Sequence, residues 1–199
     1  TCALPIYVVS IDAKDLIAPG TFVAKGTPVI NGNIKALETV TASAGVWDDG
    51  VTLTYKWAID GQINDGQTTE NFKLPRESVG KNLTVAITAT KLGYVTETVT
   101  SAPIAIAALT FIKAPVPTIK GTATVGKKLT AYVGTWQDGT TVTYQWRRNG
   151  APIAGATRGT YTVSKLDVGK TISVAVTGQQ EYFESKTIVS KATKKVTKN

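Results

Sequence analysis

The sequence has no histidine and no methionine, and its 199 residues include one cysteine, Cys2. Without histidine there is no usual general base, no usual zinc ligand and no side chain that changes charge near neutral pH. A catalytic serine would need an unusual lysine partner instead. One cysteine excludes an intrachain disulfide, and a lone Cys near an end reads as incidental or as an intermolecular link. Without methionine Thr1 is not an initiator, so the chain is expected to be a processed product or a piece of something longer. Long apolar runs are also missing. The longest, Ala102 to Leu109, falls far short of the roughly 20 residues a membrane helix needs, so no membrane insertion is expected.

Acidic residues are few and scattered. The pair Asp48-Asp49 sits among turn formers and reads as turn chemistry rather than as a calcium loop. No glycine-rich loop follows a strand and opens a helix, so no phosphate cradle is present. These absences leave no candidate catalytic, cofactor-binding or metal-binding residue, and the chain reads as not an enzyme.

The net charge is +8, and Lys186, Lys191, Lys194, Lys195 and Lys198 crowd the last fourteen residues. Such a run is either a solvated strand and tail or a contact for an anionic surface, such as cell-wall polymers, acidic glycans or a neighbouring subunit. Nucleic acid is not expected, because no reader helix or basic–aromatic platform is visible.

What is present is a repeat. Trp47-Asp48-Asp49-Gly50 precedes Thr54-Tyr55-Lys56-Trp57, and Trp136-Gln137-Asp138-Gly139 precedes Thr143-Tyr144-Gln145-Trp146. The differences 136 − 47 and 146 − 57 are both 89. The same offset relates Asp60-Gly61 to Asn149-Gly150, Val79-Gly80-Lys81 to Val168-Gly169-Lys170, and Thr21-Phe22-Val23 to Thr110-Phe111-Ile112. Roughly a third of the aligned positions are identical without a gap.

Each copy reads as strands. Leu83, Val85 and Ile87 alternate with polar or small neighbours, as do Ile172, Val174 and Val176, which predicts half-buried strands. Asp60-Gly61 and Asn149-Gly150 are type I′ hairpin signals. A final strand is expected from about Phe183 to Val196. Seven or so short strands at turn intervals of eight to twelve residues make a sandwich, and no amphipathic helix is visible. Trp57 and Trp146 fall mid-strand and Trp47 and Trp136 at the end of the preceding strand; all four are expected in the core. Truncation of such a buried aromatic costs about 3–5 kcal/mol.

Gly134-Thr135-Trp136, Tyr144 to Gly150, Ile153 to Thr157, Tyr161-Thr162-Val163 and Asp167 to Lys170 closely resemble the tandem immunoglobulin-like repeat of secreted and surface proteins of high-GC Gram-positive bacteria. Copy one carries the repeat's ending, Ile87 to Tyr94. The resemblance spans residues 20 to 195 or so. It implies an all-β chain of two tandem immunoglobulin-like β-sandwich domains and brings no catalytic residues. Copy two departs from it: Thr171 and Ser173 stand where an immunoglobulin has Tyr and Cys, so the tyrosine corner is absent. Tyr182-Phe183 replaces Gly-Tyr, as core or as a contact patch.

The expected organisation is an N-terminal strand-like extension over 1–19, one domain over 20–108 and a second over 109–199 with a lysine-rich C-terminal strand. Thr1 to Ile6 resembles Thr100 to Ile104, the end of copy one. It is therefore a remnant of a further repeat or a free strand able to pair with another chain's open edge. Candidate assembly contacts are Ile6, Val8, Tyr182, Phe183, Lys194 and Lys195. Expected partners are other protein subunits or further immunoglobulin-like repeats. The expected role is a structural or adhesive module of an extracellular bacterial surface protein or filament. The alternatives are a virion tail or capsid decoration and a carbohydrate-binding appendage of a secreted hydrolase.

Overall fold

The computed structural model describes residues 18–199, which divide after Ile106 into two compact units. The first unit contains β1 (Val29–Asn31), β2 (Thr39–Ser43), β3 (Thr52–Ile59), β4 (Gln62–Ile63), β5 (Asn71–Lys73), β6 (Asn82–Thr90), β7 (Glu97–Thr100) and β8 (Ile104–Ala105). One sheet has the order β1-β2-β5; the other runs β4-β3-β6-β7, with β8 also on β6. The second unit contains β9 (Thr118–Lys120), β10 (Lys128–Tyr132), β11 (Thr141–Arg148), β12 (Ala151–Pro152), β13 (Thr160–Thr162), β14 (Ile172–Gln179) and β15 (Lys186–Val189). Its sheets are β13-β10-β9 and β12-β11-β14-β15. Every named strand pair is antiparallel. Each unit is an immunoglobulin-like β-sandwich.

The cores follow the alternation of the strands. In β6, Leu83, Val85, Ile87 and Ala89 are fully buried and face the other sheet's Val40 and Phe72. Trp57 stacks on Phe72 with ring centres 5.3 Å apart and donates its Nε1–H to Thr69 O at 3.0 Å. In the second unit Trp146 stacks on Tyr161 at 5.6 Å and donates to Arg158 O at 2.8 Å. Leu129, Val163, Ile172, Val174, Val176 and Val196 complete that core. Aliphatic side chains thus occupy the space that a disulfide would bridge.

Three expectations need correction. Strand β14 is not half-buried: Ser173 and Ala175 are 7% and 6% exposed. They are small side chains on a central strand, registered opposite Arg147 and Gln145 of β11, which are long enough to cover them. The last strand of each copy is broken, not continuous. Val85 N–H donates to Ser101 Oγ and Ser101 N–H to Val85 O, and Val174 and Ser190 repeat the pair of bonds. The serine hydroxyl takes the place of a ladder carbonyl, so pairing stops and resumes beyond it. The ungapped alignment also fails at its end. Gly80 N donates to Ile106 O as Gly169 N does to Val196 O, and 196 − 106 is 90, not 89. Copy two carries one extra residue after Thr193.

Asp60 and Asn149 adopt φ of 47° and 46°, each followed by a positive-φ glycine, as the hairpins require. Elsewhere the copies trade side-chain volume. Ala89 of copy one is Gly178 in copy two, and Trp136 sinks onto that glycine: a Cβ there would lie 2.3 Å from Trp136 Cζ3. The indole is buried, but its Nε1 finds no acceptor. Trp47 is only half-buried and donates to Ala44 O at 3.0 Å. Gly178→Ala is expected to destabilise the second sandwich by about 1–3 kcal/mol through overpacking against a flat ring that cannot retreat. Urea unfolding of the variant checks this, and an unchanged midpoint would count against it.

Candidate interaction surfaces

Nothing in the described residues assembles into a catalytic constellation, and no group of three or more Cys, Asp or Glu side chains there could hold a metal ion. Among the described residues no helix is long and apolar enough to cross a membrane. Asp48, one of the Asp48-Asp49 pair weighed as a calcium loop, has another task. Its carboxylate accepts the N–H of Ala24 at 2.8 Å and of Val23 at 3.0 Å. Those two bonds, chiefly Ala24's, hold its pKa below the ordinary carboxylate value, with Lys91 assisting. The clasp ties the start of the sandwich to the loop before β3. In copy two Gln137 stands there and accepts only from Ile112 N, at 3.5 Å.

A second carboxylate is fully buried. Asp167 accepts from Arg148 Nε at 2.5 Å, Tyr161 OH at 2.7 Å, Ser164 N at 2.7 Å and Ser164 Oγ at 3.0 Å. Burial pushes its pKa up, but the hydrogen bonds from Tyr161, Ser164 and Arg148 outweigh burial and hold it below the ordinary value. The corresponding residues of copy one, 89 positions earlier, are Ile59, Phe72, Pro75 and Ser78. The whole polar cluster is exchanged for apolar groups and one hydroxyl. It is structural, and single-residue inspection misses it. The signal was in the alignment, where four partners change together.

Surface charge differs between the copies. Residues 1–106 carry eight Lys and Arg against ten Asp and Glu; residues 107–199 carry fourteen against four. The net charges are therefore −2 and +10. Part of the excess lines one seam of the second sandwich, where the C-terminal segment lies beside residues 116–125. Thr197 N donates to Ala123 O and Val125 N to Thr197 O. Three shallow grooves follow the seam. One is bordered by Ile119, Thr122, Thr124, Thr193, Lys194 and Lys195. The next holds Val116, Thr118, Lys191 and Thr193, and the third Val125, Lys165, Val168 and Lys198. All five lysines are exposed, no carboxylate side chain lines any of the grooves, and none of the five is ion-paired among the described residues.

The candidate assembly residues fall in different places. Lys194 and Lys195 are on the seam. Phe183 packs on Phe111 at 5.1 Å, as Tyr94 packs on Phe22 at 5.3 Å, within an aromatic group that includes Trp136 or Trp47. Tyr182 is half-buried and holds φ 67°, where copy one has Gly93 at 79°. Ile6, Val8 and most of the extension over 1–19 lie outside the described residues. Exposed Val23, Val46 and Leu92 mark the end of the first sandwich where the Asp48 clasp holds its segments together. Thr135 and Glu181 replace the last two in copy two.

No family model matches the chain. In sequence it is similar to the highly immunogenic outer capsid protein of Enterobacteria phage T4, with 28% identity over 144 residues, which is 69% of this chain and 38% of that protein. The chain thus spans well under half the length of that relative. Among solved structures it is similar to a Ca2+-stabilised adhesin that helps an Antarctic bacterium reach out and bind ice, at 14% identity and a TM-score of 0.39, covering 88% of this chain and 49% of that one. It is also similar to domains A168–A170 of titin, at 14% identity and a TM-score of 0.32, covering 91% and 62%.

Proposed function

We propose that the chain is a non-catalytic structural module displayed on the exterior of a virion, as a capsid or tail decoration. The observation that carries this reading is the sequence similarity to an outer capsid protein across 69% of the chain. The architecture supports it: two small sandwiches bury apolar cores and leave broad, charged surfaces outside. A second reading, a structural or adhesive module of an extracellular bacterial surface protein or filament, is favoured by the repeat motif from Gly134 to Lys170. The carbohydrate-binding appendage of a hydrolase is not favoured by the tryptophans, since Trp57, Trp136 and Trp146 are buried and Trp47 is half-buried.

Immunogold electron microscopy with antibodies to the chain, applied to purified particles and to cells of the native source, tests the reading. Gold is expected on particle exteriors. Label on cell envelopes or appendages alone would replace the virion reading with the surface-protein one, and label confined to the cell interior would overturn both.

A further inference from the structure

We propose that the second sandwich binds a linear anionic polysaccharide along the seam between its C-terminal segment and residues 116–125. The inference adds a binding activity to the display reading and does not depend on which exterior carries the chain.

The two copies share a fold and roughly a third of their residues, yet differ by twelve units of net charge. Neutral drift on a solvated surface scatters charge of both signs. Here Lys165, Lys191, Lys194, Lys195 and Lys198 border three consecutive grooves, and no carboxylate side chain lines them. The positions corresponding to Lys191, Ala192 and Thr193 in copy one are Ala102, Pro103 and Ile104. Lys165 keeps a basic counterpart in Arg76, but the C-terminal lysines have none, so the basic C-terminal segment is a property of one copy and not of the fold.

Its shape and chemistry select the ligand class. From residue 191 to 198 an extended backbone spans no more than about 23 Å, so the lysines form a row rather than a point. A row of like charges attracts a chain that repeats its anion, and a groove lined by one sign raises the local concentration of that counter-charge. Between the lysines Thr118 and Thr122 offer hydroxyls that can pair with those of a sugar, whereas the Thr193 hydroxyl is engaged with Ile172 N and Lys194 O and that of Thr197 with Thr124 Oγ1. No aromatic or arginine lines the three grooves, and the exposed ring of Tyr132, opposite Thr118 in the strand register, is capped by Lys120 Nζ at 4.9 Å, so the grooves lack the anchors on which tight protein interfaces depend and the stacking platform of a single-stranded nucleic acid site. Recognition is electrostatic, and no exposed indole is needed.

The test uses the full chain and two triple variants of equal net charge. Lys191→Gln/Lys194→Gln/Lys195→Gln changes the seam; Lys56→Gln/Lys73→Gln/Lys81→Gln changes the first sandwich. Binding is measured by calorimetry at low salt against heparin as a sulfated glycan and alginate as a carboxylated one, with poly-glutamate and double-stranded DNA as the other polyanions. The wild-type chain is expected to bind a glycan with salt-sensitive affinity. The seam variant should lose roughly tenfold or more and show a shallower salt dependence, and the control should lose little. Surface Lys→Gln changes leave melting nearly unmoved, and a thermal scan of each variant checks that. Equal weakening in both variants would mean bulk charge alone and overturn the seam. No glycan binding, or tighter binding to poly-glutamate or DNA than to either glycan, would overturn the ligand class. Particle labelling addresses display separately, so each proposal can fail without the other.

Discussion

Truncating Trp146 to alanine will destabilise the second sandwich by about 3–5 kcal/mol and leave the unfolding of the first in place. A domain of this size has total stability on the order of 5–15 kcal/mol, so the variant's second unit will be at or near the edge of unfolding at ambient temperature. The side chain is fully buried, stacks on Tyr161 and sits among Leu129, Val163, Val174 and Val176. Removing it opens a cavity that flanking strands, held by eight register pairs between β11 and β14, cannot close. It also strands Arg158 O, which accepts the indole N–H at 2.8 Å. Trp57→Ala is the mirror experiment, with Phe72 and Thr69 O as the abandoned partners. Differential scanning calorimetry of each variant should show one transition lowered or lost and the other unmoved. A single cooperative transition shifted equally by either change would contradict independent cores.

The second large effect belongs to Asp167. Asp167→Ala is expected to cost about 3 kcal/mol, the lower end of what breaking a buried ion pair costs, because Arg148 keeps access to water. Its side chain is 28% exposed, whereas that of Asp167 is fully buried. Copy one shows how the cost can be avoided, having Ile59, Phe72 and Ser78 at the corresponding positions. Changing Arg148→Ile, Tyr161→Phe, Ser164→Pro and Asp167→Ser together should therefore recover most of the loss, since exchanging a whole buried polar cluster for packed apolar groups is often neutral. Urea denaturation of the single and quadruple variants decides; a quadruple variant as unstable as the single one would refute the exchange. The same cluster gives a pH signature. The Asp167 pKa is lower in the folded state than its ordinary value of 3.8. Its contribution is therefore complete above the unfolded value and is lost as pH falls through the folded value. Between neutral pH and about 5 this residue adds no slope; below about 4 the second sandwich loses stability that Asp167→Asn, already deprived of it, does not lose.

How much of this was legible beforehand depends on whether the physics is local. Strand alternation, the two Asx-Gly hairpins and the 89-residue offset are properties of neighbours along the chain, and together they determined an all-β chain of two sandwiches; the resemblance of the repeat motif implied that these are immunoglobulin-like. The core placement of Trp57 and Trp146 followed from the same periodicity. Tertiary structure alone decided the rest. Burial of both faces of β14 depends on the long side chains of Arg147 and Gln145 across the ladder, and the break at Ser101 and Ser190 depends on a hydroxyl reaching a strand 16 residues away. Trp136 sank deeper than Trp47 because of one missing methyl group at Gly178, which lies far from it in sequence and against it in space. The lysine row was visible as composition, but a run of charge becomes a surface only when folding places it beside Thr118 to Thr124, along grooves that no carboxylate side chain lines. Local patterning sets which elements form, because backbone geometry repeats over two or four residues. Which side chains meet is set by packing between elements, and no local period carries that information.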